Sequence, residues 1–308
     1  MSEPLRDGEE EIDEAAHYFA LASSCGDPER MAEITEDAAR NLAPNQLTWL
    51  YRRVDAMADR RRSELFQSTA RLWKWLLELD GPVFDNHRLT SHTRLYAAHG
   101  VPSERKVLLV IFTGKGGGLF ISTARFLVRL PRDRFDVLWL QTPDGYDYPH
   151  GVPGFGDSFA GVCRSIAAIM PGYAGAAAIG GSLGGYSALR AAVLLDMGVG
   201  ISLSVRFSSV RWLKGKPATP AFDPLCACAP PTRAALSAYY SVDHEGDARN
   251  AALLAAMRPG VEQVPLRTHR HNVLAHIVAD GRFDPIFEGI YRTAVRDAGP
   301  SRTVAAPW

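Results

Sequence analysis

The segment Ala176-Ala177-Ala178-Ile179-Gly180-Gly181-Ser182-Leu183-Gly184-Gly185-Tyr186 decides the reading of this sequence. Small apolar residues lead into a glycine cluster around one serine, and a helix-compatible run follows. The pattern G-x-S-x-G between a strand and a helix holds a serine on a sharp turn with its hydroxyl exposed at the helix N-terminus. The glycines have a steric reason. The turn strains the backbone at Ser182, and residues without Cβ two places before and after it let strand and helix approach. At that position the helix dipole and the N–H of Leu183 favour a developing negative charge. The same segment also reads as a glycine-rich turn with Ser182 as a helix N-cap.

Outward from this segment, strand and helix signals alternate from about residue 81 to the C-terminal region. Lys106–Thr113 (KVLLVIFT) is the continuous apolar, β-branched run of a strand buried on both faces of a parallel sheet. Further strands are predicted over 135–141, 176–180, 200–207, 234–241 and 261–268, with 93–98 as an earlier edge strand. Helices are predicted over 119–130, 158–170, 186–197 and 248–257. Such alternation implies an α/β fold, a mostly parallel doubly wound sheet with its active groups at the carboxyl ends of the strands. The tail from Gly299 to Trp308 reads as loose.

Composition changes near Gly81-Pro82. Before it the chain is charged and rich in Ala and Leu, and three helices are predicted over 9–23, 28–41 and 45–79, with Asp27 and Asn45 as N-caps and Pro28 at a first helical position. Trp49, Leu50, Val54, Leu65, Phe66, Leu72, Trp73 and Leu76 would line an apolar face of the third. The expected division is therefore an N-terminal all-helical extension over residues 1–80, a cap or a protein-partner surface, and a catalytic domain over 81–308. Packing alone also accounts for the stripe.

Residues from about 90 to 295 resemble the α/β-hydrolase superfamily, through the strand end Phe112-Thr113-Gly114 and the elbow Gly180-Gly181-Ser182-Leu183-Gly184-Gly185-Tyr186. The resemblance implies a serine, acid, histidine order along the chain, each at the end of a later strand. It also implies a covalent acyl-enzyme on Ser182 formed from an ester or thioester. A serine hydroxyl needs a base to attack at neutral pH, and imidazole has the pKa to serve. His271, after the last predicted strand, is the candidate base, with His269 as its rival. Asp243, just after the strand at 234–241, is the candidate acid. Asp247 is the rival acid and otherwise a helix cap, and Glu245 stands third. The loop Gly114-Lys115-Gly116-Gly117-Gly118 would supply the second oxyanion donor, with Lys115 and Gly116 as candidates beside Leu183. A phosphate loop of the Walker type is excluded, because no Lys-Ser or Lys-Thr pair follows the glycines at the required spacing.

Charge narrows the function classes further. In 308 residues, 34 Lys and Arg balance 34 Asp and Glu, so no global field attracts nucleic acid. The four cysteines, Cys25, Cys163, Cys226 and Cys228, are too few for a disulfide framework, and the Cys226/Cys228 pair lacks the further ligands a zinc site needs. An acidic N-terminus without an apolar run gives no secretory signal, and no stretch is long enough to span a membrane, so a cytoplasmic protein is expected. The expected partner is a small-molecule or carrier-bound acyl substrate, with no metal and no organic cofactor needed. A non-catalytic module of the same fold, and transfer or lyase chemistry at the same residues, remain the alternatives.

Overall fold

The computed structural model describes residues 9–70, 84–114, 117–142, 148, 150–207 and 232–296, with side chains from residue 14 onward. Two compact units are present. The first joins residues 1–87, 96–99 and 122–130, and the second joins 88–95, 100–121 and 131–308.

The first unit is built on α1 (Glu9–Ser24), α2 (Pro28–Asn41), α3 (Pro44–Asp55) and α4 (Arg60–Ala70), with α5 (Thr123–Arg129) beside them. Asp27 caps α2 by accepting from the Arg30 N–H at 2.8 Å. Met31, Ile34, Ala38, Leu47, Leu50, Val54 and Phe66 meet in its core. Two expectations need correction. The third predicted helix is two helices, broken at residues 56–59, where the Asp59 carboxylate accepts from the Arg62 N–H and starts α4. Asn45 lies inside α3, and the cap is Ala43, whose N–H is taken by the Gln46 side chain at 2.9 Å, with Pro44 at the first helical position. Leu72, Trp73 and Leu76 lie outside the described residues.

The sheet has eight strands: β1 (Phe84–Thr90), β2 (Thr93–Ala98), β3 (Val107–Phe112), β4 (Phe135–Leu140), β5 (Gly175–Gly181), β6 (Val199–Leu203), β7 (Ala235–Ser241) and β8 (Glu262–Leu266). Their order is β1-β2-β4-β3-β5-β6-β7-β8, and every pair from β4 to β8 is parallel. All six residues of β3 and of β4 are buried; β3 is accordingly a continuous apolar run, and β4 is apolar except for Asp136. Alternation divides the faces. Leu108, Val110, Phe112, Leu138, Ala176, Ala178, Leu236 and Ala238 pack with α6 (Phe159–Ile169), α7 (Leu183–Leu194) and α8 (Glu245–Met257). Ile179, Ile201 and Leu203 face α9 (Val273–Ala279) and α10 (Phe283–Arg296) on the other side. The doubly wound α/β class expected from the sequence is the class observed.

Strand β3 has β4 on one side and β5 on the other. The chain leaves β3 in one direction and returns on its far side, so the crevice at the carboxyl ends of β3 and β5 is a topological switch point, where α/β sheets hold ligands. The opposite end is closed differently. Lys106 Nζ and Asp136 Oδ1 form a 2.6 Å ion pair with both side chains nearly sealed from solvent. Replacing Lys106 by Met leaves a buried carboxylate without its cation and is expected to cost about 3–5 kcal/mol in urea unfolding. The double variant Lys106→Met with Asp136→Leu is expected to recover most of that loss. A loss below about 1 kcal/mol for the single change would contradict the dependence on this pair.

Candidate active site

Ser182 sits between β5 and α7 with φ 52° and ψ −114°, a left-handed conformation that costs a non-glycine residue roughly 1–3 kcal/mol. Three backbone hydrogen bonds hold it there. Its N–H donates to Leu203 O at 2.8 Å, and its carbonyl accepts from Arg206 N at 3.0 Å and Gly185 N at 3.1 Å. The glycines serve the close approach inferred from the sequence. A Cβ on Gly180 would lie 2.1 Å from the Gly184 carbonyl oxygen, and one on Gly184 would lie 2.1 Å from that of Phe112. Ser182 occupies the N-cap position of α7, but its side chain accepts no cap hydrogen bond there.

Its hydroxyl instead meets an imidazole. His271 Nε2 lies 3.1 Å from Ser182 Oγ, and His271 Nδ1 lies 2.6 Å from Asp247 Oδ1. Because Asp247 can only accept when ionised, Nδ1 carries the hydrogen and Nε2 is left to accept from Ser182. The carboxylate is completely buried, and the imidazole is about one fifth exposed. His269 is exposed on the same loop.

The acid is where the structure departs from the sequence-based preference. Asp243 is exposed in the turn after β7, and it is Asp247 that accepts the hydrogen bond from His271 Nδ1. Helix α8 begins at Glu245, three residues before the predicted start, so Asp247 falls in its first turn and is carried inward. His244, not Asp247, occupies the capping position. Glu245 is exposed. Burial pushes the Asp247 carboxyl up, but the hydrogen bond from His271, the Ser204 hydroxyl and the charges of His271 and His244 outweigh it and hold the carboxyl below the ordinary aspartate value. Ser204 Oγ and Asp247 Oδ2 are both buried without a partner at full hydrogen-bonding geometry, so the Ser204 effect is one of proximity.

Four residues that the sequence did not single out shape the site. Phe120, at φ 69°, sets its ring edge-on to His271 with centroids 5.2 Å apart. Asn272 donates to the Phe120 carbonyl at 2.8 Å and caps α9 by accepting from Ala275 N at 3.0 Å, which ties the histidine loop to the loop after β3. His244 sets its ring at a tilt to that of His271, 5.5 Å between centroids. Ser204, at φ 49°, ends β6 beneath the acid. None carries a motif, since each acts through tertiary position.

Leu183 is the first residue of α7, where a helix leaves its N–H without an internal acceptor. Lys115 and Gly116 lie outside the described residues, as do Cys226 and Cys228. Gly114 N–H donates to Gly118 O at 3.0 Å and Gly117 N–H to Gly114 O at 3.2 Å, so those two donors are already engaged. His244, Asp247 and His271 bring three polar side-chain atoms within 4.8 Å of one another. Among the described residues no helix is long and apolar enough to cross a membrane.

No protein-family model matches the chain, and no curated protein matches it in sequence. Among solved structures it is similar to a 2,6-dihydroxy-pseudo-oxynicotine hydrolase, with 14% identity and a TM-score of 0.49 over 96% of this chain and 91% of that one. It is also similar to a thermophilic esterase from the planctomycete Thermogutta terrifontis, at 16% identity and a TM-score of 0.45 over 70% of this chain and 94% of that one. A third similarity is to acyl-protein thioesterase 2 of Zea mays, at 15% identity and a TM-score of 0.40 over 68% of this chain and all of the other.

The depressed Asp247 carboxyl has a consequence for stability. A carboxyl whose value is lower folded than unfolded contributes stability that is complete above the ordinary value of 3.8 and is lost as pH falls through the lower folded value. Asp247→Asn is therefore expected to unfold with a weaker acid dependence than the wild type, the two differing most above the ordinary aspartate value and converging as pH falls through the lower folded value. Equal pH dependence in thermal melts of the two proteins would contradict the assigned direction.

Proposed function

We propose that this α/β-hydrolase-fold chain is a serine acyl hydrolase or acyltransferase that cleaves an ester or thioester through Ser182, His271 and Asp247. The observation that carries the reading is the continuous chain of contacts from Ser182 Oγ to His271 Nε2, 3.1 Å, and from His271 Nδ1 to Asp247 Oδ1, 2.6 Å, with the serine on a strained turn at a helix N-terminus.

In this mechanism Ser182 Oγ attacks the substrate carbonyl carbon while its proton passes to His271 Nε2. The carbonyl oxygen becomes an oxyanion held by Leu183 N–H and by the loop at 114–118, with Lys115 and Gly116 as the proposed donors there. Asp247, ionised and buried, keeps the imidazole oriented and stabilises its protonated form. As the bond to the leaving alcohol or thiol breaks, His271 returns the proton to it and the acyl group remains on Ser182. A water, or an acceptor alcohol, thiol or amine, then loses a proton to His271 and attacks the acyl carbon, and Ser182 regains its hydrogen. The chemistry calls for no metal or organic cofactor. Water as acceptor gives a hydrolase and any other acceptor a transferase, so product analysis separates the two. The N-terminal segment 1–80 remains the proposed cap or protein-partner surface, and a balanced charge supports neither nucleic acid nor a membrane as partner.

The test is a panel of p-nitrophenyl esters and acyl thioesters assayed with wild type and variants. Ser182→Ala is expected to lose about four orders of magnitude in kcat with an unchanged Tm, since alanine keeps the backbone conformation and only the hydroxyl is lost. Asp247→Asn is expected to lose about three to four orders, and Asp243→Asn to stay within about threefold of wild type. Wild-type turnover by Ser182→Ala would remove the serine from the mechanism, and a loss confined to Asp243→Asn would return the acid role to that residue.

A further inference from the structure

The carboxylate oxygen that meets His271 meets a second imidazole. His244 Nδ1 lies 3.1 Å from Asp247 Oδ1, the same atom that lies 2.6 Å from His271 Nδ1. The His244 Nδ1 atom also lies 3.2 Å from the Asp247 N–H, as a helix cap would. One nitrogen cannot serve both neighbours. With a lone pair on Nδ1 it would accept from the N–H but set that lone pair against an anionic oxygen. With a hydrogen on Nδ1 it donates to the carboxylate and leaves the N–H to another acceptor.

The structure supplies that acceptor. Asp247 N–H lies 2.9 Å from the His244 carbonyl, closer than the ring nitrogen, so the amide does not depend on the side chain. The anion does depend on donors, because Asp247 is completely buried and Oδ2 has no partner of its own among the described residues. A buried carboxylate without donors is costly, and a second N–H on Oδ1 relieves that cost.

We propose that His244 is a positioning residue, carrying its hydrogen on Nδ1 and sharing Asp247 Oδ1 with His271. The inference rests on the triad reading above and adds to it a means of setting how firmly the acid holds the base. Among the described residues, the charged and titratable groups that face His244 are Asp247 in the first turn of the helix it precedes and His271 from the loop after β8, while Asp243 and Glu245, its chain neighbours, are exposed. The direction of the effect is the same whether the second imidazole is neutral or protonated. A neutral N–H draws off part of the carboxylate's hydrogen-bonding capacity, and a protonated ring adds like charge beside His271. Both oppose protonation of the base, so removing the ring favours it.

The experiment follows the rate of Ser182 labelling by a fluorophosphonate against pH, in full-length wild type and His244→Ser. Serine is a good N-cap, so this variant keeps the helix start while deleting the imidazole. The acid limb of the labelling profile is expected to move up by roughly half a pH unit or more, with Tm within a few degrees of wild type. His244→Asn, which keeps both a cap and an N–H donor, is expected to fall between the two. An acid limb unmoved in His244→Ser, whatever happens to Tm or to the plateau rate, would reduce His244 to a helix cap and overturn the proposal. Failure of the wild type itself to label at Ser182 would instead sink the triad reading on which it rests.

Discussion

The site depends on one constraint, the left-handed backbone of Ser182 between β5 and α7. A serine does not adopt φ 52° unless its surroundings impose it, and here they do so from three directions. Strand β6 receives its N–H through Leu203, the chain beyond β6 returns to its carbonyl through Arg206, and the first turn of α7 closes on the same carbonyl through Gly185. The glycines at 180 and 184 let the helix press against the ends of β5 and β3 with gaps too small for any side chain. The strain at one residue is thus maintained by the parallel pairing of β3, β5 and β6, which ties the rigidity of the sheet to the aim of one hydroxyl.

The partners of that hydroxyl arrive from the far half of the sheet. β7 and β8 run parallel to β5, so the loops that follow them open at the same end. From there α8 carries Asp247 inward and Asn272 fastens the loop bearing His271 to Phe120. The imidazole contacts the Phe120 and His244 rings, while its two nitrogens are committed to Ser182 and Asp247. Such a ring has few orientations left, and a base that is already oriented spends little entropy in reaching the transition state.

Much of this was legible in the sequence because its cause was local. A strand buried on both faces is dominated by apolar residues, so Val107–Phe112 and, with Asp136 as its one charged residue, Phe135–Leu140 announced themselves, and the elbow was readable because close backbone approach admits only glycine. What escaped had causes that no local pattern records. Phe84–Thr90 is a polar edge strand with three of its seven residues exposed and only Phe84 buried, so it offers no hydrophobic alternation. The break between α3 and α4 falls at Ala56-Met57-Ala58-Asp59, without a glycine or proline to mark it. The choice between Asp243 and Asp247 turned on whether α8 starts at residue 245 or 248, a shift of less than one turn that decides which carboxylate faces the core. His244 was invisible for the same reason, since its meaning comes from sharing an oxygen with a residue 27 positions away in the chain.

The most direct measurement of the central claim is the covalent intermediate itself. The protein is mixed with an activated acyl ester, quenched in acid within the first turnover, digested and examined by mass spectrometry. The account predicts one acyl group on the peptide that contains Ser182, formed at the rate of the initial burst and absent from Ser182→Ala. Turnover of the ester with no acyl group on that peptide, or with the acyl group on another residue, would contradict it.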